Sequence, residues 1–334
     1  MAKKKKSPKK TTAKSAPPSR LQGGLLPGLG GVPWAPEPKP MSRMDMERFN
    51  RALSKLMGEK EFESEEELNA FMASLTGPGK LDEILDAAEL DPEDEAQDLA
   101  YEAMEAESDT EAKMLCRRAL KLDPHCLDAL ILLADIETTS TQDYAERLRA
   151  VVRGAEEHFG EAFMEENRGH FWGLVETRPY MRARQSLAES LLALDEMDAA
   201  IAEYEGMLAL NPGDNQGHRD VLRGLYLEAG NLEGVRRLNK EYDDGMFAIP
   251  AWSAVLERFL SDDLKQAEKL LRAAHKYNRH VAGYLTGTKP LPKEGPGRYS
   301  PGDPNEAALC VILLGKAWFS HPEAIVWLRG LTLK

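Results

Sequence analysis

The chain has 334 residues, 42% of them hydrophobic and 30% charged, so most of it can bury a core. Aromatics are only 7%, Ala, Leu and Glu are plentiful, and alternating β-branched runs are nearly missing, which argues against a β-rich fold. Residues 1–20 hold eight Lys or Arg and no acid, so residues 21–334 carry about −21; a body of that sign repels nucleic acid and favours basic partners.

Residues 1–40 read as a disordered tail. Lys3, Lys4, Lys5, Lys6, Lys9 and Lys10 form a basic block, and Pro, Gly and Ser dominate the remainder of the tail. The tail is the only segment suited to touch phosphates, and Ser7-Pro8-Lys9-Lys10 resembles minor-groove-binding tails. It is otherwise a solubilising extension. Residues 41–92 read as N-terminal helices ending in an acidic stretch. Met46, Phe49, Leu53, Leu56 and Met57 recur at three- and four-residue steps. Ser64 and Glu67 have capping-box spacing ahead of Leu68, Phe71, Met72 and Leu75, and Thr76-Gly77-Pro78-Gly79 stops that helix. Residues 82–112 hold fourteen acids and no Lys or Arg. They form either a solvated helix face or an acidic docking stripe for a basic partner.

Residues 93–331 contain an internal repeat. Ala112–Pro124 and Ala200–Pro212 share one shape, a helix ending in a small residue, Leu and a polar–Pro stop; Ala267–Asn278 is a weaker copy. The helix before each carries Leu followed by a small residue on its inner face, at Leu99-Ala100, Leu133-Ala134 and Leu187-Ala188. Small residues let antiparallel helices approach closely. Short turns join the paired helices at 194–197 and 229–232, where Gly230 suits a left-handed stop.

These features resemble the tetratricopeptide repeat, whose period is ~34 residues. The resemblance implies an all-α fold: an α-solenoid of antiparallel helix pairs forming a right-handed superhelix. The pairs fall at about 95–123, 127–158, 181–211, 216–243, 250–278 and 305–331, the last closing the stack. Thr138–Gln142 interrupts the second pair, and the fourth places Asn239 and Tyr242 where small or aromatic core residues are usual. Within residues 169–304, the stretches Gly169–Gly173, Glu176–Arg184, Asn211–Gly217, Lys289–Pro292 and Tyr299–Asp303 resemble uncharacterised microbial tetratricopeptide proteins, a group distantly similar to the eukaryotic suppressor of tumorigenicity family. That family brings no activity with it.

Proteins of the tetratricopeptide class bind peptides on the concave face lined by the first helix of each pair. This implies a protein-interaction scaffold rather than an enzyme. Residues 167–184 crowd His170, Trp172, Arg178, Tyr180 and Arg182 ahead of a repeat helix, and Asn215, Gln216 and Arg219 open the next pair. Arg178, Arg182 and Arg219 suit carboxylates; Trp172 and Tyr180 suit apolar anchoring. The alternative reading packs these aromatics into an inter-repeat loop and pairs the arginines with local acids. The inner-face positions Gln97 and Tyr101, Ile131 and Asp135, Gln185 and Glu189 differ from the Lys and Asn of the chaperone-tail-binding subclass, so a partner of basic or mixed charge is expected.

HExxH, phosphate-cradling Gly loops and G-x-S-x-G are missing, and the His275–His280 pair shows no third ligand, so no cofactor or metal is expected. His170 with Glu176 is the best acid–base pair on offer. Cys116, Cys126 and Cys310 fit no metal or disulfide spacing and read as buried thiols in a reducing compartment. With no apolar run of membrane-span length and no secretory signal, a soluble cytoplasmic protein is expected. The Pro-rich segment 286–304 reads as a rigid loop over the stack.

Overall fold

A computed structural model describes residues 43–58, 60, 63–75, 91–242, 247–293 and 295–331, all within one compact unit. The basic tail, the Thr76–Gly79 stop and residues 82–90 of the acidic stretch lie outside the described residues. These contain fifteen helices and no strand. In chain order they are α1 (Arg43–Gly58), α2 (Glu65–Ser74), α3 (Pro92–Glu105), α4 (Asp109–Leu122), α5 (Leu127–Glu137), α6 (Thr141–Glu166), α7 (Arg178–Ala193), α8 (Met197–Leu210), α9 (His218–Glu228), α10 (Leu232–Glu241), α11 (Ala248–Leu260), α12 (Leu264–Tyr277), α13 (Val281–Leu285), α14 (Pro304–Phe319) and α15 (Pro322–Gly330).

From α3 to α12 the helices pack as successive antiparallel neighbours, α3 on α4, α5 on α6, α7 on α8, α9 on α10 and α11 on α12. The second helix of each pair also rests on the first helix of the next. Alanines make the close approach possible: Ala96, Ala100, Ala119 and Ala129 are fully buried in one cluster, and Ala145, Ala183, Ala188 and Ala200 in the larger one. Three pairs turn in the same way. Asp195, Gly230 and Asp262 are left-handed, with φ of 60°, 70° and 59°. Each lies at the same offset after its first helix, and the next residue's N–H closes back onto the helix, from Glu196 to Leu191 O, Asn231 to Tyr226 O and Asp263 to Arg258 O. These bonds satisfy carbonyls that the helix end leaves without partners.

The two departures in the sequence have local causes. Thr138–Gln142 spans an ordinary turn: Ser140 caps α6 by accepting the Asp143 N–H at 3.1 Å. The helix then passes a kink at Gly160 (φ 75°) and continues to Glu166, which replaces the missing Pro stop. In the fourth pair, Asn239 is held by Arg223, a fully buried guanidinium on α9. Arg223 Nε donates to Asn239 Oδ1 at 2.8 Å, and its other nitrogens reach Asp220 and the Tyr242 carbonyl. Asp220 meets the buried charge, and Asn at 239 supplies the acceptor that Nε needs.

The last pair packs differently from the others. α14 packs against α9, α11 and α13 and meets α15 at 114°. It therefore lies against the first helices of two successive pairs instead of continuing from α12. Trp318 on α14 meets Trp252 on α11 edge-on, ring centroids 5.9 Å apart, and both rings are fully buried. Glu306, at the start of α14, accepts the Ala248 N–H at the start of α11, the Gly302 N–H and the Asn278 side-chain amide, at 2.8, 2.6 and 2.9 Å. The Asn278 amide at the end of α12 also donates to the Asp303 carbonyl at 2.8 Å, tying the segment before α14 to α12. No single helix among the described residues is long and apolar enough to cross a membrane.

Gly224 permits the contact between α9 and α14, since a Cβ there would overlap the Leu313 carbonyl oxygen. Gly224→Ala should lower stability by about 1–3 kcal/mol despite its better helix propensity. Gly154→Ala, in α6 with open space at its Cβ, should raise stability by about 0.5–1 kcal/mol. Urea midpoints of the two variants check both signs.

Candidate binding face on the first helices

The first helices α3, α5 and α7 touch one another in succession, and a line of polar side chains bridges them. Gln97 on α3 donates to Asp128 Oδ2 on α5 at 2.7 Å. Arg182 on α7 donates from Nε to Asp128 Oδ1 at 2.9 Å. One turn further along α7, Gln185 accepts from Gln216 Nε2 at 2.9 Å, just before α9. Asp128 is buried, and the guanidinium that faces it squarely offsets the cost of burying a carboxylate.

Arg182 has a second partner. Its NH1 lies 2.9 and 3.0 Å from the carboxylate oxygens of Glu47 on α1. Glu47 is buried too and accepts the Tyr101 hydroxyl of α3 at 2.8 Å. Paired carboxylates hold the Arg182 guanidinium further above its already high pKa range, against the cost of burial. The same surroundings push the Tyr101 hydroxyl up, mainly by burial and then by the Glu47 charge. Arg182 is therefore committed inside the chain and does not offer a free grip for a partner's carboxylate.

The other residues expected at this site separate into three places. Tyr180 is fully buried on the core side of α7; its hydroxyl donates to Glu156 at 2.8 Å and its ring meets Phe159 and Phe171 at 5.9 Å. It packs the hydrophobic core and is not an anchor on the surface. Trp172 and Arg178 form a closed unit of the α6–α7 loop: Arg178 Nε donates to the Trp172 carbonyl at 3.0 Å, with its guanidinium 5.5 Å from the indole centroid. Buried Thr177 bonds the Phe171 and Leu174 carbonyls in the same loop. His170 is exposed, and no hydrogen bond joins it to Glu176 among the described residues. These Trp172, Thr177 and Arg178 contacts lie within the loop itself.

Asn215 is exposed, and Gln216 and Arg219 are half-buried where the chain enters α9. Asp214, left-handed at φ 48°, accepts the N–H groups of His218 and Arg219 at 2.7 and 3.0 Å. Arg219 Nε lies 3.7 Å from the same carboxylate, and its guanidinium sits 5.1 Å from the Tyr242 ring. Burial pushes the Asp214 carboxyl up to about 6 in spite of these donors. Burial, then the nearby Arg184 charge, pushes His218 down to about 4.

Sequence reasoning missed Asp128, Glu47 and Arg223, the acids and the base around which the buried charge is arranged. An Asp at the second position of Leu127–Glu137, just ahead of the apolar run Ala129–Ala134, was the available signal for Asp128. Cys116, Cys126 and Cys310 are buried, unpaired thiols; burial pushes Cys116 up to about 11 and Cys126 up to about 12, which removes their nucleophilicity at neutral pH. Among the described residues no group of His, Cys, Asp and Glu is arranged to hold a metal. No protein-family model matches the chain, and the search of curated proteins found no match.

Arg182→Leu should cost about 3–5 kcal/mol, because it strands Glu47 and Asp128; adding Asp128→Asn should recover part of that loss, both read from urea unfolding. His218 gives a pH test. The unfolded chain protonates it below about 6.5 whereas the fold resists until about 4. Its contribution is thus full above 6.5 and shrinks as pH falls toward 4. The stability of wild type relative to His218→Gln should rise by up to about 3 kcal/mol between pH 4 and 6.5. A difference that stays flat would show that His218 titrates normally.

Proposed function

We propose that this protein is a protein-interaction scaffold: a tetratricopeptide-like α-solenoid that holds a peptide or helix of a partner on the face made by its first helices. The left-handed turn residues at 195, 230 and 262 are spaced 35 and 32 residues apart, near the ~34 of that repeat class. Each second helix supports the next first helix, the neighbour-to-neighbour packing of a solenoid. The observation that carries the reading is the polar ladder from Gln97 through Asp128 and Arg182 to Gln185 and Gln216, on which a helix, α1, already lies. A face that takes one helix by side-chain charge is built to be read by side chains. The expected partner is basic or mixed in charge, matching the acidic body. The unpaired thiols fit a reducing compartment, and the cytoplasm is the proposed location.

The test is affinity capture with cross-linking and mass spectrometry, comparing wild type with Gln185→Lys/Glu189→Lys. The expected result is a partner cross-linked to α3, α5 and α7 and lost from the variant with helicity unchanged. Equal retention by both chains, with cross-links confined to second helices, would overturn the reading.

A further inference from the structure

The seat of α1 identifies what the face accepts, and this step rests on the scaffold reading above. α3 carries six acids and no base. α1 crosses it with its cations in matching register and opposite direction. Arg48 Nε lies 3.2 Å from Asp98, and Arg51 lies 2.6 Å from Asp98 and 3.3 Å from Asp94. Lys55 is 2.7 Å from Asp91 and also pairs with Asp94. The cations stand at i, i+3 and i+7, one face of a helix. The guanidiniums of Arg48 and Arg51 flank the Tyr101 ring, at 5.6 and 5.4 Å from its centroid. Glu47, one position before Arg48, supplies the single acid that meets Arg182.

Apolar attachment is slight by comparison. Ala52 is the one fully packed apolar side chain described on α1; Phe49 and Leu56 are half-buried around it with Leu75, in a cluster separate from both cores of the repeat region. The outer pairs, Arg48–Asp98 and Lys55–Asp91, are partly exposed, so each adds little and weakens with salt; Glu47, buried against Arg182 and Tyr101, is the fixed point of the contact. α1 is thus recognised by charge far more than by apolar packing, and a ligand supplying the same charges can replace it.

We propose that the seat formed by Asp91, Asp94, Asp98, Tyr101 and Arg182 binds a basic amphipathic helix of a partner protein, bearing Glu-Arg-x-x-Arg-x-x-x-Lys spacing, and that α1 is an internal copy of that ligand which competes for it. Being tethered, α1 is present at high effective concentration, so a partner's apparent affinity is reduced by the fraction of time the seat is free.

The probe is a fluorescein-labelled peptide of residues 43–58, held helical by a side-chain crosslink between positions 50 and 54. Its binding to the full chain is monitored by anisotropy at low and high salt. Wild type should bind weakly. Arg48→Glu/Arg51→Glu/Lys55→Glu expels α1 and should bind the peptide about tenfold tighter or more. Adding Asp94→Lys/Asp98→Lys to that chain should abolish binding, and high salt should weaken it. If the triple variant loses its cooperative thermal transition, Arg48→Gln/Lys55→Gln gives the same readout with a smaller gain. Equal peptide affinity in the wild type and a folded charge variant overturns the proposal. So does binding that survives the Asp94 and Asp98 changes. A chain that retains a partner cross-linked to its first helices, yet ignores the peptide in every variant, overturns this inference and leaves the scaffold reading standing.

Discussion

One guanidinium joins four helices. Arg182 lies between the buried carboxylates of Asp128 and Glu47, and through them it reaches Gln97 and Tyr101. Two buried acids without a counter-charge would be intolerable in the same space. Because Arg is planar and offers donors in two directions, it satisfies both at once, which a lysine could not do with the same geometry. The angle between α5 and α7, and the presence of α1 on top of them, are set by that requirement. The apolar packing beneath supplies most of the stabilisation, yet it tolerates sliding of one helix on another. The charge does not, so Arg182 selects one register.

Much of the helical layout was open to inspection in the sequence. Apolar steps of three and four, Leu followed by a small residue, and the polar stops located five pairs within three residues, because those signals are local; the second pair, without a Pro stop, runs on to Glu166 instead of ending near 158. Gly230 declared its left-handed turn, since only glycine adopts it without cost; Asp195 and Asp262 take the same conformation and gave no such notice. The placement of α14 was not legible. Its sequence is that of any apolar helix, and the cue that it meets α9 is the missing side chain at Gly224, some ninety residues before Leu313.

The candidate site was legible in composition but not in direction. Arg182 and Tyr180 are two positions apart on one helix, so they point to different sides. One enters the polar ladder and the other the aromatic core. Residue type alone assigned both to one surface. Trp172 and Arg178 do lie together and touch each other. The acids of α3 were visible as a block, and the alternative of a docking stripe was raised. Its basic counterpart, at Arg48, Arg51 and Lys55, lies about forty residues earlier and reads locally as nothing more than the polar face of a helix.

The position of α14 also divides the molecule by its capacity to change. From α3 to α8, each helix leans on its sequence neighbours and on the adjacent first helix, but Arg182 ties α7 to α5 and α1, so a pair added among α3, α5 and α7 would pull that junction apart. Between α9 and α15 a pair is no easier to add. A pair inserted after α12 would separate Trp318 from Trp252 and Glu306 from Ala248. The C-terminal part is therefore a block of fixed length, whose contacts span long stretches of chain and whose assembly is correspondingly slow. The N-terminal part, gathered on Arg182, is a second such block. Variation in the number of pairs among chains built on this plan should accumulate where the two meet, between α8 and α9, and each block should pass from one to the next as a unit.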